Sequence, residues 1–203
     1  MDLKLSLIKK FKPFLFIILI TPCFYWFSKL YLGEMGVNPI EATIHKLGEF
    51  SLRLLILTLL ITPLTQISSL RNLQILRRMI GLFAFFYICL HLSSYIVLDH
   101  FFNWEFILKD VYKRPFITLG FLAFLFTIPL ALTSHNTLIT KLTYKVWKKI
   151  HRLIYFIAPL AGLHYYLLTK ADKTKPIIYL ALISLLLLFR IIIYFSKKTF
   201  FSR

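Results

Sequence analysis

Several kinds of chemistry have no signature in this sequence. It contains no glycine-rich phosphate loop, no Cys-x-x-Cys pair and no serine elbow, so nucleotide hydrolysis, dithiol redox chemistry and serine-based acyl transfer all lack their usual motifs. Cysteine is scarce: Cys23 and Cys89 both fall inside apolar runs, where a small buried residue is expected rather than a disulfide or metal pair. Internal repeats, low-complexity stretches and long linkers are missing too. Acidic residues are few, 8 against 25 Lys and Arg, giving a formal net charge of +17. That excess does not indicate a nucleic-acid partner, because the Lys and Arg cluster at the ends of apolar runs, where they set membrane topology and meet anionic headgroups.

What fills the 203 residues is hydrophobic: 59% of them, with 21 Phe and a mean hydropathy of +0.75. This is too apolar for a soluble domain. Apolar runs lie near Pro13–Leu32, Ile44–Leu64, Met79–Leu98, Phe116–Thr133, Ile150–Leu168 and Ile177–Phe195. The length suits six spans of roughly 20 residues with short loops, and lipid leaves no partner for free backbone groups, so the spans must be helices. The expected fold is therefore an all-α polytopic six-helix transmembrane bundle, one domain over residues 1–203. The basic start (Lys4, Lys9, Lys10, Lys12) resembles a signal peptide, but no small-residue cleavage site closes the long apolar stretch, which is expected to be a retained first span. Pro22, Pro129 and Pro159 lie inside runs and should bend their helices.

With the N-terminus inside, the inner segments hold 15 Lys and Arg. The outer loops hold 6 (Lys109, Lys113, Arg114, Lys170, Lys173, Lys175), and Lys29, Lys46, Arg53 and Arg190 lie within or beside spans. The positive-inside rule then places both termini in the cytoplasm.

Histidine is where chemistry enters. His91 and His164 sit inside apolar helices, and an ionisable ring in lipid is read first as functional. His91 lies 12 residues into the third span, roughly 18 Å along it, and His164 lies 14 residues into the fifth, roughly 21 Å. Both spans run outward, so the two rings reach similar depth in the outer half of the bilayer. Two imidazoles at one depth on neighbouring helices suit a haem iron held from both sides. The competing reading is two histidines hydrogen-bonded between helices.

His151 stands near the inner end of the fifth span, roughly 20 Å below His164 but roughly 140° around a straight helix. At its level the third span offers Arg77 and Arg78 rather than a histidine. These three residues are candidates for a haem propionate, a quinone or a flavin phosphate, with interfacial snorkelling as the alternative for the arginines. His45, Glu49 and Arg53 follow at intervals of four and share a face. Arg53 lies nearly mid-bilayer, at a cost of about 2.5–3.5 kcal/mol. Pairing with Glu49 and contact with a propionate or quinone both remain open, and Gly48 beside them would let a flat ring approach the backbone. His100 and His135 fall in loops and are expected to be solvated.

The stretches GVNPIEATIHKLGE, LITPL, RRMIGLFAFFYICLHLSSY, KRPFITLG and WKKIHRLIYFIAPLAGLHY, in order from Gly36 to Tyr165, resemble the ferric-reductase-like transmembrane family. Within it they look like the haem-binding membrane subunits of periplasmic protein-methionine-sulfoxide reductase systems. The resemblance places His91, His151 and His164 at haem-associated positions, with His151 a further candidate iron ligand. It implies b-type haem, FMN as a second candidate group, and membrane quinones as electron donor in the bacterial inner membrane. The implied partner is a periplasmic molybdopterin-containing catalytic subunit of the MsrP type that reduces methionine sulfoxide in oxidised envelope proteins. Broader relatives carry a second histidine pair, whose member on the third span is replaced here by Arg77/Arg78. They also append a cytoplasmic FAD/NAD(P)H domain, whereas eight residues follow Phe195, so electrons are expected to enter from a quinone or a separate cytosolic flavin reductase. The loops Tyr31–Thr43 and Asp99–Pro115 are the expected docking places. Two other functions fit the same residues: a stand-alone ferric or metal reductase, and a small transporter using intramembrane histidine with Glu49 and Arg53 for proton coupling.

Overall fold

The computed structural model describes residues 3–66 and 68–201. Among them every regular element is helical: α1 (Leu3–Tyr31), α2 (Pro39–Leu64), α3 (Gln74–Ser94), α4 (Trp104–Lys113), α5 (Pro115–Leu132), α6 (Asn136–Lys141), α7 (Tyr144–His151), α8 (Ile154–Leu168) and α9 (Thr174–Phe201). A 3₁₀ turn (Ser68–Leu73) leads into α3 and a π-helical turn (Tyr95–Asp99) ends it. The chain is an all-α polytopic membrane protein.

Local sequence sets the helix starts. Asn38 accepts from the Glu41 amide at 3.4 Å ahead of Pro39 at the first position of α2, where a missing N–H costs nothing. Asn103 caps α4 through the Phe106 amide at 3.1 Å, and Pro115 opens α5. The α1–α2 reversal uses Gly33 and Gly36, both at positive φ.

Five helical segments among the described residues are long and apolar enough to cross a bilayer: Ser6–Tyr31, Pro39–Leu64, Leu70–Asp99, Pro115–Leu132 and Thr174–Ile193. The run expected over Ile150–Leu168 is not one helix. A turn at Arg152–Leu153 separates the basic α7 from α8. The 15 residues of α8 rise roughly 22 Å, short of the roughly 30 Å hydrocarbon core. His151 therefore ends α7 and does not share a helix with His164. The break lies before Pro159, which sits inside α8.

Two helix pairs carry the bundle, α2 on α3 and α5 on α8, with α9 packed on α8 and α2. One apolar core joins α2, α8 and α9 around Leu55, Leu59, Ile157 and Ile183. A second joins α1, α2 and α3 around Leu19, Leu47, Phe83 and Tyr87. Tyr87 is fully buried. Its hydroxyl donates to the Leu19 carbonyl at 2.7 Å and accepts from the Cys23 amide at 3.1 Å. The side chain thus inserts into the backbone ladder of α1 beside Pro22, one of the recognised causes of a helix bend.

Candidate functional site

The α2–α3 and α5–α8 pairs each contribute one imidazole, and they do so in the same way. On α3, His91 Nδ1–H donates to the Ile44 carbonyl of α2 at 2.9 Å. On α8, His164 Nδ1–H donates to the Phe116 carbonyl of α5 at 2.6 Å. One turn beyond each carbonyl stands a glycine. A Cβ at Gly48 would lie 2.9 Å from His91 Nδ1, and a Cβ at Gly120 would lie 2.7 Å from His164 Nδ1. Each ring brings its Nδ1 edge up to a neighbouring backbone at a place where a side chain would leave no room. The ring that Gly48 admits is the imidazole of His91.

With Nδ1 engaged as a donor, each ring keeps Nε2 as its unprotonated nitrogen, the tautomer a metal-binding imidazole needs. The two ring centroids are 6.2 Å apart, with their planes at 76°. Imidazole–metal bonds of about 2 Å, with roughly 1 Å from each ring centre to its nitrogen, would set two axial rings roughly 6 Å apart. The donor set and spacing fit an iron held between them. Among the described residues no group of three or more His, Cys, Asp or Glu side chains is arranged to hold a metal ion, so a two-ligand site completed by a macrocycle is the arrangement these residues suit.

The other predicted residues are distributed over three places. His151, Arg77 and Arg78 line one cleft of about 280 Å³ together with Gln74, Gly81 and Trp147. There His151 stacks on Trp147 at 4.1 Å and its Nε2 lies 3.1 Å from the Thr133 hydroxyl. Arg78 donates to Asn136 Oδ1 at 2.5 Å. Arg77 has no hydrogen bond or ion pair among the described residues. Phe85, on the cleft wall, stacks with Phe124 at 6.4 Å and 3°. By helix register this stack lies between the cleft and the imidazole pair.

Arg53 is engaged elsewhere: it donates to Glu49 Oε1 at 2.5 Å and to the Tyr179 hydroxyl at 2.8 Å, and that hydroxyl donates to Glu49 Oε1 at 3.1 Å. His45 is exposed and 4.0 Å from Glu41. His135 is exposed, with Nδ1 2.5 Å from the Thr137 hydroxyl. His100, expected to be solvated, has a side chain only 14% exposed. It packs between Tyr95 and Phe106, because the π-turn and two left-handed residues, Phe101 and Phe102, fold α4 back over it. It lies 3.9 Å from the buried Asp110, which also pairs with Arg114 at 3.2 Å.

Residues 47–162 match the family described as ferric reductase like transmembrane component. That segment contains Gly48, His91, Gly120 and His151, and His164 follows two residues later. The chain is 50% identical over 161 residues (79% of this chain, 77% of the relative) to the protein-methionine-sulfoxide reductase heme-binding subunit MsrQ of Caulobacter vibrioides. The chain belongs to the MsrQ family of ferric-reductase-like membrane components. Other MsrQ subunits are similar over more of its length: that of Herminiimonas arsenicoxydans is 44% identical over 194 residues (93% and 87%), and that of Rhodospirillum rubrum 43% over 177 (87% and 85%). The similarity to MsrQ therefore extends through most of α1 and α9 and not only the four helices that carry the two imidazoles and their glycines.

Gly120 was not singled out in the sequence, although a signal for it exists. Ile44-His-Lys-Leu-Gly48 and Phe116-Ile-Thr-Leu-Gly120 share one form, a residue whose carbonyl accepts from the imidazole, four positions before the glycine of a Leu-Gly pair. The repetition becomes meaningful once α3 is known to pair with α2 and α8 with α5.

Proposed function

We propose that this chain is a b-type cytochrome of the bacterial inner membrane, with both termini in the cytoplasm. It would pass electrons from membrane quinol to a periplasmic molybdopterin-containing MsrP-type subunit that reduces methionine sulfoxide in envelope proteins. The observation that carries the reading is the pair of facing imidazoles, each tethered through Nδ1 to a main-chain carbonyl and each with Nε2 left for iron. The relatives are haem-binding subunits of a methionine-sulfoxide reductase by name, which supports the same assignment.

His91 and His164 would hold the haem, and when bound it supplies a one-electron carrier. The chain's own residues do the rest. The Ile44 and Phe116 carbonyls fix each tautomer and ring orientation and raise the basicity of the ligating nitrogen. Gly48 and Gly120 let the rings lie back against α2 and α5. The apolar helices around them keep water out. At the other end of the bundle, His151, Arg77 and Arg78 line the cleft in which we place the entry of electrons from quinol. A flavin such as FMN is the second group the cleft could hold, its phosphate facing the arginines. Arg53, closed into its network with Glu49 and Tyr179, and His45, on the surface, are left with structural roles. The α1–α2 and α3–α5 connections are the docking surface for the periplasmic partner.

The test is an oxidised-minus-reduced visible spectrum of the purified protein, repeated for His91→Ala and His164→Ala. A Soret and α-band pair lost in both variants is expected. A colourless wild-type protein, or a spectrum untouched by either change, would overturn the proposal and favour the proton-coupled transporter. Full reduction of ferric chelates without any periplasmic partner would favour a stand-alone ferric reductase.

A further inference from the structure

Arg190 belongs to the last apolar helix and has only 8% of its surface exposed. Its Nη2 donates to the Leu59 carbonyl at 3.0 Å and to the Thr62 hydroxyl at 2.7 Å. Its Nε is buried with no acceptor among the described residues. The guanidinium lies 5.9 Å from the ring centre of Tyr155, a contact that stabilises a cation without neutralising it. A buried charge normally brings its counter-ion with it, because desolvation is otherwise uncompensated. Here the neighbouring charge is of the same sign. Arg77 has no hydrogen bond or ion pair among the described residues and lies within electrostatic reach of Arg190 and Tyr155, with no described carboxylate near it.

Among the described residues no acid lies at that end of the bundle. Of the chain's eight acidic residues, seven lie in the α1–α2, α3–α5 and α8–α9 connections or in the first half of α2, at the opposite end of the bundle. The eighth, Asp2, lies outside the described residues. Arg190 on α9 is thus deeply buried and incompletely bonded, with Arg77 of α3 within electrostatic reach and no carboxylate beside either among the described residues.

We propose that Arg190 and Arg77 bind a phosphate ester at the end of the bundle that carries the chain termini. Guanidinium suits phosphate because its planar donors meet two oxygens at once, and the Thr62 hydroxyl and Tyr155 ring complete a mixed polar and aromatic wall. The phosphate comes either from a phospholipid headgroup entering between α8 and α9 or from a soluble phosphate compound entering from the cleft beside Arg77. The site stands apart from the haem reading but shares Arg77 with the cleft proposed for quinol or a flavin, and its readout does not depend on electron transfer.

The test measures the thermal unfolding midpoint of delipidated protein in detergent at constant ionic strength, with chloride as baseline. The probes are inorganic phosphate, dioctanoyl phosphatidylglycerol, and dioctanoylglycerol as a lipid lacking phosphate. The expected result is a raised midpoint with at least one phosphate-bearing probe and none with dioctanoylglycerol. The gain should be lost in Arg77→Gln, which removes no hydrogen bond, reduced in Arg190→Lys, and kept in Lys149→Gln on the exposed face of α7. A gain with phosphatidylglycerol alone assigns the site to lipid, and a gain with inorganic phosphate assigns it to a soluble ligand. No gain with either, or a full gain in Arg77→Gln, overturns the proposal.

Discussion

The two ends of this bundle use the same helices for opposite purposes. Toward the loop end, α3 and α8 present one imidazole each, both tethered to a neighbour's backbone and seated on a glycine. Toward the terminal end, the same α3 presents Arg77 and Arg78, and the stretch before α8 breaks so that His151 turns aside onto Trp147 and Thr133. The first arrangement is symmetric, short of charge and suited to a fixed neutral-nitrogen ligand set. The second is cationic, partly open, and holds donors with no carboxylate beside them among the described residues. On the proposed function, the level where two imidazoles face each other beside glycines would clasp an iron, and the level of arginines beside a cleft would receive a ligand.

The largest expected effect falls on the symmetric level. His91→Ala and His164→Ala should each lower haem affinity by more than roughly 100-fold, beyond the 10- to 100-fold typical of residues that only support a ligand, as measured by the haem-to-protein ratio after purification. Survival of normal occupancy in either variant would dissolve the distinction between the two levels. Next come the glycines. Gly120→Ala should weaken haem retention by roughly 10-fold and shift its midpoint potential, with Gly48→Ala giving a smaller change of the same kind. The order follows from the tighter approach at Gly120, 2.7 Å against 2.9 Å. An equal or inverted order in a spectroelectrochemical titration would remove the steric account.

At the cationic level, His151→Ala, Arg77→Ala and Arg78→Ala should leave the haem spectrum unchanged and slow reduction by quinol several-fold in stopped-flow measurements. Unchanged rates in all three would reject this cleft as the entry point. The smallest effect is expected at Arg53, which is half exposed in its pair with Glu49. Arg53→Gln should cost about 1 kcal/mol or less of stability and leave both the spectrum and the quinol rate alone, and a spectral change would bring that network back into the site.

How much of this could be read beforehand depends on how local each feature is. The equal depth of His91 and His164 follows from helix rise and span direction alone, and the structure brings the rings together. Gly48 was readable as a place where a flat ring meets the backbone, but which ring depends on α3 packing against α2, a long-range fact. Gly120 went unnoticed for the same reason, since its partner helix comes some 40 residues later. The break before α8 falls at Arg152–Leu153, where the basic α7 gives way to an apolar helix, and not at Pro159, the helix breaker visible in the sequence. His100 depends on how the α3–α4 turn folds back. Arg190 was set aside from the orienting charges as lying within or beside a span, and only its burial shows that no described carboxylate accompanies it.

The anchors of both imidazoles are main-chain oxygens, and this decides what can go wrong with them. No substitution at position 44 or 116 deletes a carbonyl, so the tethers are shielded from ordinary sequence drift. They yield only when one rod slides or rotates against its neighbour. Ligand orientation here is therefore a record of helix register, and any partner that shifted α2 against α3, or α5 against α8, would retune the centre without touching either histidine.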